Sequence, residues 1–546
     1  MNDGKVKTGR YVAALVVAVA VVAAITAACG GDDDDSGGSG GGNNDRPLVI
    51  ARDMDINSMD PSRAYCDTCQ IYLTATYDTL IGLDPKDNKT FVARVAEKWE
   101  GNADRTQYTF RLNKKAKFAD GTPLEAKDVK WSFERLANVK GSAAYFMDGI
   151  TSIETPDAQT VIVKLAASDS SFLAKVNASY AGIINSKVAT ANGASNAKDA
   201  DTTDKAEPWF LKNSAGSGPY TLASYTEGAE IRLARNESYW GDKPALKEVI
   251  IKQVKDAVTQ RQQVETGDAD IAMQIDPDTA KKIKNKNVTI KEVPSFNFVY
   301  IALSPGAKDN KVDLNPKIRE AVRAAVDYDG IIQVTLGGGG KKQAAPIPNG
   351  FLGTKNLALP KRDTAKAKQL LKDGGQPNGF EIDAIYPNVN VYGVDFNTMM
   401  QKIQADLGEV GIKLKLQPVE FTVWVEKIRG DGIPMTAVYF APDHTDPIQY
   451  VQYFGMVPGA PWASRAGSKD KPIVNQAEVD LSAKALAASS DEEREKLYES
   501  IGKEMIADAI ILPIVNPNLV LAYRSDLEGM HYSACCNLEV QRLKRK

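Results

Sequence analysis

The sequence predicts a mixed α/β protein built from more than one domain. Its 546 residues are 43% apolar and 25% charged, which is typical of a globular protein. This length exceeds what one hydrophobic core supports, so we expect two or three domains. Segments with strand-like and helix-like patterns alternate along the chain without a fixed period, which disfavours a repeat solenoid.

Individual elements can be assigned from these patterns. The run LVIARD at 48–53 predicts an opening strand, and YTFRLN at 108–113 alternates apolar and polar residues as a half-buried strand does. Helices are indicated by PKIREAVRAAVDYDGII, which begins at Pro316, a residue suited to the first turn of a helix. A further helix is indicated by TAKAKQLLKDGG, which Gly374 and Gly375 close.

The charge balance limits the classes of partner. The chain has 67 basic and 70 acidic residues, which gives a formal net charge of -3. No excess of positive charge is present to neutralise phosphates, so we expect no nucleic acid partner.

The first residues indicate export. Basic residues among the first ten precede an uncharged run at 11–28, which is the pattern of a secretory signal peptide at 1–28. The run ITAAC, which ends at Cys29, resembles a bacterial lipobox. This resemblance implies that Cys29 becomes the lipidated first residue of the mature protein. An uncleaved membrane anchor is the alternative, because about 18 apolar residues nearly span a bilayer.

A polar spacer follows the lipobox. The segment GGDDDDSGGSGGGNND at 30–45 has no apolar residue, so with Cys29 it predicts a lipidated, flexible tether at 29–45. Its four consecutive aspartates could suggest a metal site, but a solvated spacer is favoured because nothing fixes their geometry. We therefore expect an extracytoplasmic protein, in the periplasmic space or its equivalent, held to the cell membrane by its N-terminal lipid.

Four further cysteines are disulfide candidates. They are Cys66, Cys69, Cys535 and Cys536, and export places them where oxidation is the default. Four thiols could hold zinc, but a vicinal pair does not easily supply two tetrahedral ligands. We expect no metal and no cofactor. The spacing allows three pairings and does not choose among them.

Each catalytic motif that the sequence resembles lacks a required residue, so we expect no catalytic residue. The commonest general base is scarce, since His444 and His531 are the two histidines of the chain. The run SAGSGPY lacks the glycine that a nucleophile elbow needs two places before Ser217. The run GGGGKK at 337–342 lacks the first glycine and the final Ser or Thr of a phosphate loop, and 53–61 lacks the glycine of a calcium loop.

Several motifs together resemble a transport family. The stretch 96–135, with AEKW and YTFRLNKKAKFADGTPLEAKDVKWSFERL, resembles the signature of the family 5 extracellular solute-binding proteins of ABC importers, which include oligopeptide, dipeptide and nickel binders. Further matches follow in the family's order: GSGPY at 216–220, NESYWGDKPAL at 236–246, GDADIA at 267–272, IREAVRAAVD at 318–327, AKAKQLLKDGG at 365–375 and DHTDP at 443–447.

This resemblance implies a two-lobed periplasmic-binding-protein-like fold (type II, cluster C) with an extra small domain. Ligand would lie buried between the lobes, and closure would be the functional motion. The implied bounds are 46–84, 210–300 and 516–546 for lobe I, 85–209 for the small domain and 301–515 for lobe II. Strands near 298–303 and 510–520 would cross between the lobes.

Ligand-contacting residues are also implied by the resemblance. In the peptide-binding members, an aspartate at the start of the DHTDP motif pairs with the α-ammonium group of the ligand, and Asp443 occupies that position. The alternative is that Asp443 only shapes a turn, as we expect of Asp446 beside its proline. Aromatic residues could line the site, since ligand pockets are mostly apolar. The candidates are Trp424, Tyr439, Phe296, Tyr65 and Tyr72, each of which could instead belong to the core or the surface.

The function expected from these observations is solute capture without catalysis. A peptide or similar small organic solute would be delivered to the transmembrane subunits of an ABC importer, and the binder would be a monomer. A nickel chelate is less favoured because nickel prefers nitrogen ligands and the chain has few histidines. An oligosaccharide ligand stays open, as does a secreted hydrolase, which would change its ligand chemically.

Overall fold

The computed structural model describes residues 46–468, 470–533 and 537–546. The predicted signal peptide, Cys29 and its tether lie outside the described residues, as do Cys535 and Cys536. Within the described ranges, no helix has both the length and the apolar character needed to cross a bilayer.

The strands, numbered along the chain, are β1 (Leu48–Arg52), β2 (Ile81–Leu83), β3 (Phe91–Ala93), β4 (Ala96–Gly101), β5 (Gln107–Leu112), β6 (Ile150–Asp157), β7 (Thr160–Leu165), β8 (Tyr220–Thr226), β9 (Glu230–Arg235), β10 (Glu248–Gln253), β11 (Ile271–Ala272), β12 (Val288–Pro294), β13 (Phe298–Leu303), β14 (Gly340–Lys341), β15 (Phe380–Pro387), β16 (Asn390–Val391), β17 (Val394–Asp395), β18 (Ile412–Val419), β19 (Met435–Phe440), β20 (Ile511–Arg524), β21 (Leu527–Glu528), β22 (Tyr532–Ser533), β23 (Asn537–Leu538) and β24 (Lys544–Arg545).

The α-helices are α1 (Asp67–Thr76), α2 (Ala126–Val139), α3 (Phe172–Asn177), α4 (Ser186–Ala191), α5 (Ala200–Thr203), α6 (Glu207–Phe210), α7 (Ala257–Thr266), α8 (Pro277–Lys281), α9 (Pro316–Ala325), α10 (Tyr328–Leu336), α11 (Thr364–Asp373), α12 (Phe396–Gly408), α13 (Phe421–Arg429), α14 (Ile448–Phe454), α15 (Pro461–Ala466), α16 (Gln476–Ala487) and α17 (Asp491–Asp508). Short 3₁₀ helices lie at Ala144–Met147, Ser179–Ala181 and Val540–Arg542.

One long strand joins two groups of strands into a single sheet. The order in this 12-stranded sheet is β18-β15-β19-β13-β20-β11-β1-β10-β9-β8, and β12 and β14 also pair with β20. The first part of β20 pairs with β13, and its later part pairs with β12 and β11. We call the side with β1 and β8–β12 lobe I, and the side with β13, β15, β18 and β19 lobe II. The two lobes therefore share the backbone of β20.

The small domain is a second sheet covered by helix α2. Its four strands lie in the order β4-β5-β7-β6, and all are antiparallel. Val129, Phe133 and Leu136 occur at helical spacing on α2, and all three are buried. They join one hydrophobic core with β1 and α1, so the small domain packs on lobe I through shared apolar side chains.

Lobe II has a core on each face of its sheet. Along β13, the alternate residues Val299, Ile301 and Leu303 belong to one core, whereas Phe298 and Tyr300 belong to the other. A strand with both faces buried is apolar throughout, as β13 is.

The helices expected from the sequence are present, with one difference. The run that begins at Pro316 forms two helices, α9 and α10, because the chain becomes extended at Val326 and α10 starts afresh. The carboxylate of Asp327 accepts a hydrogen bond from the Gly330 N–H at 3.0 Å and caps this second helix.

A buried arginine ties the small domain to the segment that follows β1. Arg135 on α2 is fully buried, and its guanidinium donates to both carboxylate oxygens of Asp60 at 2.6 Å. It also donates to the Ser62 hydroxyl at 2.9 Å and to both oxygens of Asp204, at 2.9 and 3.1 Å. The five N–H groups of Arg135 therefore all have partners, and the segment 60–62 is fixed against α2.

We predict that Arg135→Met destabilises the protein by about 3–5 kcal/mol, because Asp60 and Asp204 lose their buried cation and keep only the partly exposed Arg63, at 3.4 and 3.2 Å. Denaturant unfolding monitored by circular dichroism measures this change. Arg232→Met is the matched control, since Arg232 lies on the surface and pairs with Glu230 and Glu248 there. Arg232→Met should hardly change the midpoint of the unfolding transition. Equal midpoints for both variants would show that the Arg135 network does not hold the fold.

Candidate ligand-binding site

Asp443 lies in a tight loop between β19 and α14. The side-chain amide of Gln449 organises this loop: its Oε1 accepts from the backbone N–H groups of Asp443 (2.7 Å) and His444 (3.3 Å). Its Nε2 donates to the Asp446 carbonyl at 3.0 Å and also to the carbonyl of His444. The first turn of α14 therefore sets the position of Asp443.

Asp446 anchors the same loop to lobe II. Its carboxylate accepts from the Ile448 N–H at 3.0 Å and from the Tyr498 hydroxyl at 3.3 Å, and it forms an ion pair with Arg494. All of its partners belong to lobe II, so Asp446 stabilises the loop and does not face lobe I.

The Asp443 carboxylate is buried and has no cationic partner. The Asp443 side chain accepts hydrogen bonds at Oδ2 from the hydroxyls of Tyr65 (2.5 Å) and Tyr145 (2.8 Å). No Lys, Arg or His of the described ranges forms an ion pair with it. Burial raises the pKa of Asp443 to about 6, although the two hydroxyls act in the opposite direction.

The residues that reach Asp443 come from across the site. Tyr65 lies between β1 and α1, and Tyr145 lies in the 3₁₀ helix of the small domain. Gln70 on α1 adds a hydrogen bond from its Nε2 to the Pro442 carbonyl at 3.1 Å. Lobe I, the small domain and lobe II therefore meet at the Asp443 loop.

A second set of contacts lies farther along the same boundary. Arg105 of the small domain donates to the carbonyls of Ala488 (2.9 Å) and Ser489 (2.8 Å), just beyond α16. The Ser170 N–H donates to the Leu486 carbonyl at 3.0 Å. The structure is thus closed over Asp443, with the small domain resting on lobe II.

Tyr65 is held in place on two sides. Its ring stacks on Tyr180 with centroids 5.3 Å apart. The next residue, Cys66, forms a disulfide with Cys69 in the first turn of α1. Of the pairings that the sequence allowed, the structure contains this local one.

The other aromatic candidates contact other parts of the protein. Tyr439 lies on β19 with its ring against Tyr392, at 5.7 Å, and Tyr72 is fully buried in the lobe I core. Phe296 packs against Phe351 at 4.8 Å. Trp424 is buried in a lobe II core.

Trp424 packs inside lobe II, whereas Phe421 on the same helix is exposed. The Trp424 indole N–H donates to the Thr436 hydroxyl at 2.8 Å, so its polar group is already used within lobe II. Phe421, one turn earlier on α13, stacks between Trp424 and Tyr439 and is 40% exposed. Phe421 is therefore the exposed aromatic side chain of this helix.

Several buried polar atoms near these aromatic rings have no hydrogen-bond partner among the described residues: Arg52 Nη1, Asn297 Nδ2 and the hydroxyls of Tyr392 and Tyr450. Buried polar groups in native proteins are normally satisfied. Tyr392 also has a φ of 54°, which is unusual for a residue with a large side chain. Strained backbone of this kind is common at ligand sites, so these atoms are candidates for ligand contacts.

Sequence reasoning missed Tyr145, Tyr392 and Arg52. One signal was available for Arg52, because it ends β1, a strand parallel to both β10 and β11, and ligands bind beyond the carboxyl ends of such strands. The positions of Tyr145 and Tyr392 depend on folding of distant segments, and no local pattern marks them.

Neither histidine has the surroundings of a general base. His444 is fully buried, its Nδ1 accepts from the Asp446 N–H at 3.1 Å, and burial lowers its pKa to about 3. His531 lies against Asn88, 3.1 Å away, and burial also lowers its pKa. No group of His, Cys, Asp and Glu within the described ranges has the arrangement of a metal site.

Comparison with known proteins identifies the class. Residues 90–460 match the model of the bacterial extracellular solute-binding proteins, family 5 Middle, which covers more than half of the chain. The chain therefore belongs to family 5 of the bacterial extracellular solute-binding proteins, as its motifs predicted.

Individual relatives and structures agree with this family. The chain is 28% identical to the probable D,D-dipeptide-binding periplasmic protein DdpA of Escherichia coli K12 over 89% of this chain and 91% of the relative. The Escherichia coli K12 dipeptide-binding protein is 27% identical, over 80% and 82% of the two chains.

Among solved structures, the periplasmic binding protein DppA of Helicobacter pylori with the peptide STSA superposes with a TM-score of 0.78 at 24% identity, covering 92% of this chain and 98% of that one. A dipeptide-binding protein of Pseudoalteromonas sp. SM9913 in complex with Met-Leu superposes with a TM-score of 0.79 at 21% identity. The match covers 92% of this chain and 100% of that one. The predicted two-lobed fold with its extra small domain is confirmed.

The raised pKa of Asp443 leads to a prediction about stability. The folded-state pKa of about 6 exceeds the ordinary value of 3.8, so the folded protein holds this proton between about pH 4 and pH 6. Its unfolding free energy should therefore fall as the pH rises through that window. Asp443→Asn cannot ionise, and we expect it to be more stable than the wild type at pH 7.5, by up to about 3 kcal/mol.

Denaturant unfolding of the ligand-free proteins at pH 4 and pH 7.5 measures this difference, which should be present only at the higher pH. Asp431→Asn is the control, because Asp431 is exposed and pairs with Lys308 on the surface. If the unfolding free energies of Asp443→Asn and the wild type differ by the same amount at both pH values, the Asp443 carboxylate is solvated in the ligand-free protein.

Proposed function

We propose that this protein captures short peptides by pairing the peptide α-ammonium group with Asp443, and that it releases them unchanged to an ABC importer. The observation that carries the proposal is the buried Asp443 carboxylate, which has two hydroxyl partners and no cation.

The charge argument favours an ammonium group over a neutral ligand. An ionised carboxylate out of water is costly unless it is paired, and the pairing restores several kcal/mol. An α-ammonium group has three N–H donors, so it can bind the carboxylate and still donate elsewhere. The unsatisfied hydroxyls of Tyr392 and Tyr450 can serve as acceptors nearby.

The relatives support peptide as the ligand class. The two Escherichia coli relatives are named for dipeptides, and the two solved structures contain bound peptides. Other relatives are named for heme and for glutathione, so family membership alone leaves the solute open. The buried Asp443 carboxylate favours a ligand that carries an ammonium group.

Binding without chemical change is part of the proposal. His444 has its Nδ1 occupied by a backbone N–H and a strongly lowered pKa, so it is a poor general base at neutral pH. Asp443 is the group with a pKa near neutrality, and in this proposal its role is to hold a cation.

We further propose that the mature protein is a monomer held outside the cell membrane by a lipid on Cys29. Family membership supports the extracytoplasmic location. The lipobox-like ITAAC run and the polar tether support the anchor. The importer partners would be the transmembrane subunits of an ABC transporter.

Peptide binding is tested with a double cycle on Asp443. Asp443→Ala should weaken binding of a peptide with a free N terminus by about 2–5 kcal/mol, because the ligand ammonium loses its buried partner. The N-acetylated peptide should bind the wild type more weakly, and the mutation should penalise it much less. Isothermal titration of both peptides against both proteins isolates the coupling between the two charges.

The control for this cycle is Asp431→Ala, which removes an exposed carboxylate of the same lobe and should leave both affinities unchanged. If N-acetylation of the peptide and the Asp443→Ala substitution lower the affinity independently, Asp443 is a turn residue and a non-peptide solute is the better assignment. The same conclusion follows if Asp443→Ala keeps full affinity. Native mass spectrometry of the freshly purified protein then identifies that solute.

Anchoring is tested at Cys29. We predict that Cys29→Ser releases the protein from the membrane or leaves it with its signal peptide attached, because the mature protein then has no lipid. Membrane fractionation and intact mass give the result. Normal processing with full membrane retention in this variant would refute the lipid anchor.

A further inference from the structure

The Cys66–Cys69 disulfide lies between two residues that bind the Asp443 loop. Tyr65, directly before it in the chain, donates to the Asp443 carboxylate. Gln70, directly after it, donates to a backbone carbonyl of the same loop at 3.1 Å. The disulfide therefore constrains the short segment that carries both of these contacts to lobe II.

The two sulfur atoms have different surroundings. Cys66 is partly exposed, whereas Cys69 is fully buried. Cys66 is also the N-cap of α1, and its sulfur accepts the Cys69 N–H at 2.9 Å. The first turn of a helix favours a negative charge, so this position stabilises a thiolate on Cys66 when the disulfide is open. Cys66 is therefore the sulfur that an external thiol attacks.

The buried Cys69 sulfur lies against two hydrogen-bond acceptors. It is 3.4 Å from Oδ1 of Asn57 and 3.6 Å from the carbonyl oxygen of Ser58. A sulfur in a disulfide has no proton to donate, whereas a thiol is a weak donor. These acceptors therefore suit the reduced form of Cys69, and the fold accommodates both oxidation states.

The disulfide is also poorly placed to support the whole fold. It closes a loop with a sequence separation of 3. In the chain-entropy account, a disulfide that joins distant segments stabilises a protein more than one that closes so short a loop. Reduction should therefore loosen this segment without unfolding the protein.

We propose that Cys66 and Cys69 form an exchangeable dithiol–disulfide centre, and that its oxidation state sets the affinity of the peptide site. This inference rests on the proposed function and adds a regulation of the same site. The oxidised form holds Tyr65 and Gln70 in position against the Asp443 loop. The reduced form leaves them less constrained, so it binds peptide more weakly.

The exchange takes place in two steps with a dithiol reductant. A thiolate of the reductant attacks Cys66 Sγ, the S–S bond breaks, and Cys69 leaves as a thiolate that takes up a proton. The second thiolate of the reductant then attacks the reductant's own sulfur in the mixed disulfide and releases the Cys66 thiolate. The reductant ends as a disulfide and the protein as a dithiol, and a disulfide oxidant reverses both steps.

The first test measures the exchange without any peptide. Cys69→Ser and Cys66→Ser are compared, and both variants also carry Cys535→Ser and Cys536→Ser. We expect glutathione disulfide to form a mixed disulfide at Cys66 at least about tenfold faster than at Cys69, because Cys69 is buried. Peptide mass mapping measures both rates, and circular dichroism confirms that both variants are folded. Equal rates, or no reaction at Cys66, would overturn the exchange centre.

The second test compares the oxidised wild type with the wild type reduced by dithiothreitol. Alanine peptides of two to five residues, and randomised pools of the same lengths, are titrated against both forms. We expect reduction to weaken binding of the best peptide about tenfold, because binding must then order a segment that the disulfide had fixed. Equal affinities of the two forms would overturn the regulation.

Matched variants assign this effect to one pair of cysteines. The variant with both Cys66→Ser and Cys69→Ser should bind like the reduced wild type, with or without dithiothreitol. The variant with both Cys535→Ser and Cys536→Ser keeps the disulfide and should lose the same affinity on reduction as the wild type. A loss that disappears in this second variant would overturn the assignment.

Linkage provides an independent readout. If oxidation strengthens binding, bound peptide must oppose reduction by the same factor. At a fixed ratio of reduced to oxidised dithiothreitol, saturating peptide should therefore lower the reduced fraction of Cys66 and Cys69. The N-acetylated peptide should protect the disulfide less, because it lacks the ammonium group that pairs with Asp443.

The outcomes separate this inference from the function on which it rests. Equal effects of reduction on free and N-acetylated peptides would show that the disulfide only supports the fold, which would overturn the regulation. If no peptide binds the oxidised wild type, the proposed function fails and the regulation fails with it. The exchange rate at Cys66 is measured without peptide, so that part of the inference stands or falls alone.

Discussion

The candidate ligand site depends on the ionic contact of Arg135 with Asp60 and Asp204. This contact is buried in the small domain, yet it fixes the segment that leads from β1 to Tyr65 and α1. Tyr65 then reaches across to Asp443 on lobe II, and the Cys66–Cys69 disulfide holds the next turn of chain. The strongest sequence signature of the family, which contains Arg135, therefore acts on the site indirectly, through the loop that it holds.

Much of the fold could be predicted from the sequence because the physical causes are local. The run LVIARD indicated β1, alternation of apolar and polar residues indicated β5, and the closing glycines indicated the end of α11, since such patterns act within one element. The helix boundaries after Pro316 were harder to predict. The division into α9 and α10 depends on one capping aspartate, Asp327, within an otherwise helical pattern.

Part of the candidate site was indicated by the sequence. Asp443 was found through a motif, and Tyr65, one of the aromatic candidates, contacts it directly. Trp424 shows why the rest could not be predicted: its position along α13 was clear, but only the packed lobe decides that its ring turns inward to Thr436 while Phe421 stays exposed. Tyr145 lies 298 residues before Asp443 in the chain, and their contact exists only in the fold.

The burial of Asp443 also affects how often the empty protein closes. Enclosing an ionised carboxylate whose pKa rises from 3.8 to about 6 costs about 3 kcal/mol, or on the order of a hundredfold in population. A cationic ligand removes that penalty at the moment of closure, so the closed shape reports occupancy. An importer that recognises the closed shape would then favour occupied binders over vacant ones, and less ATP would be spent on transport cycles that carry no cargo.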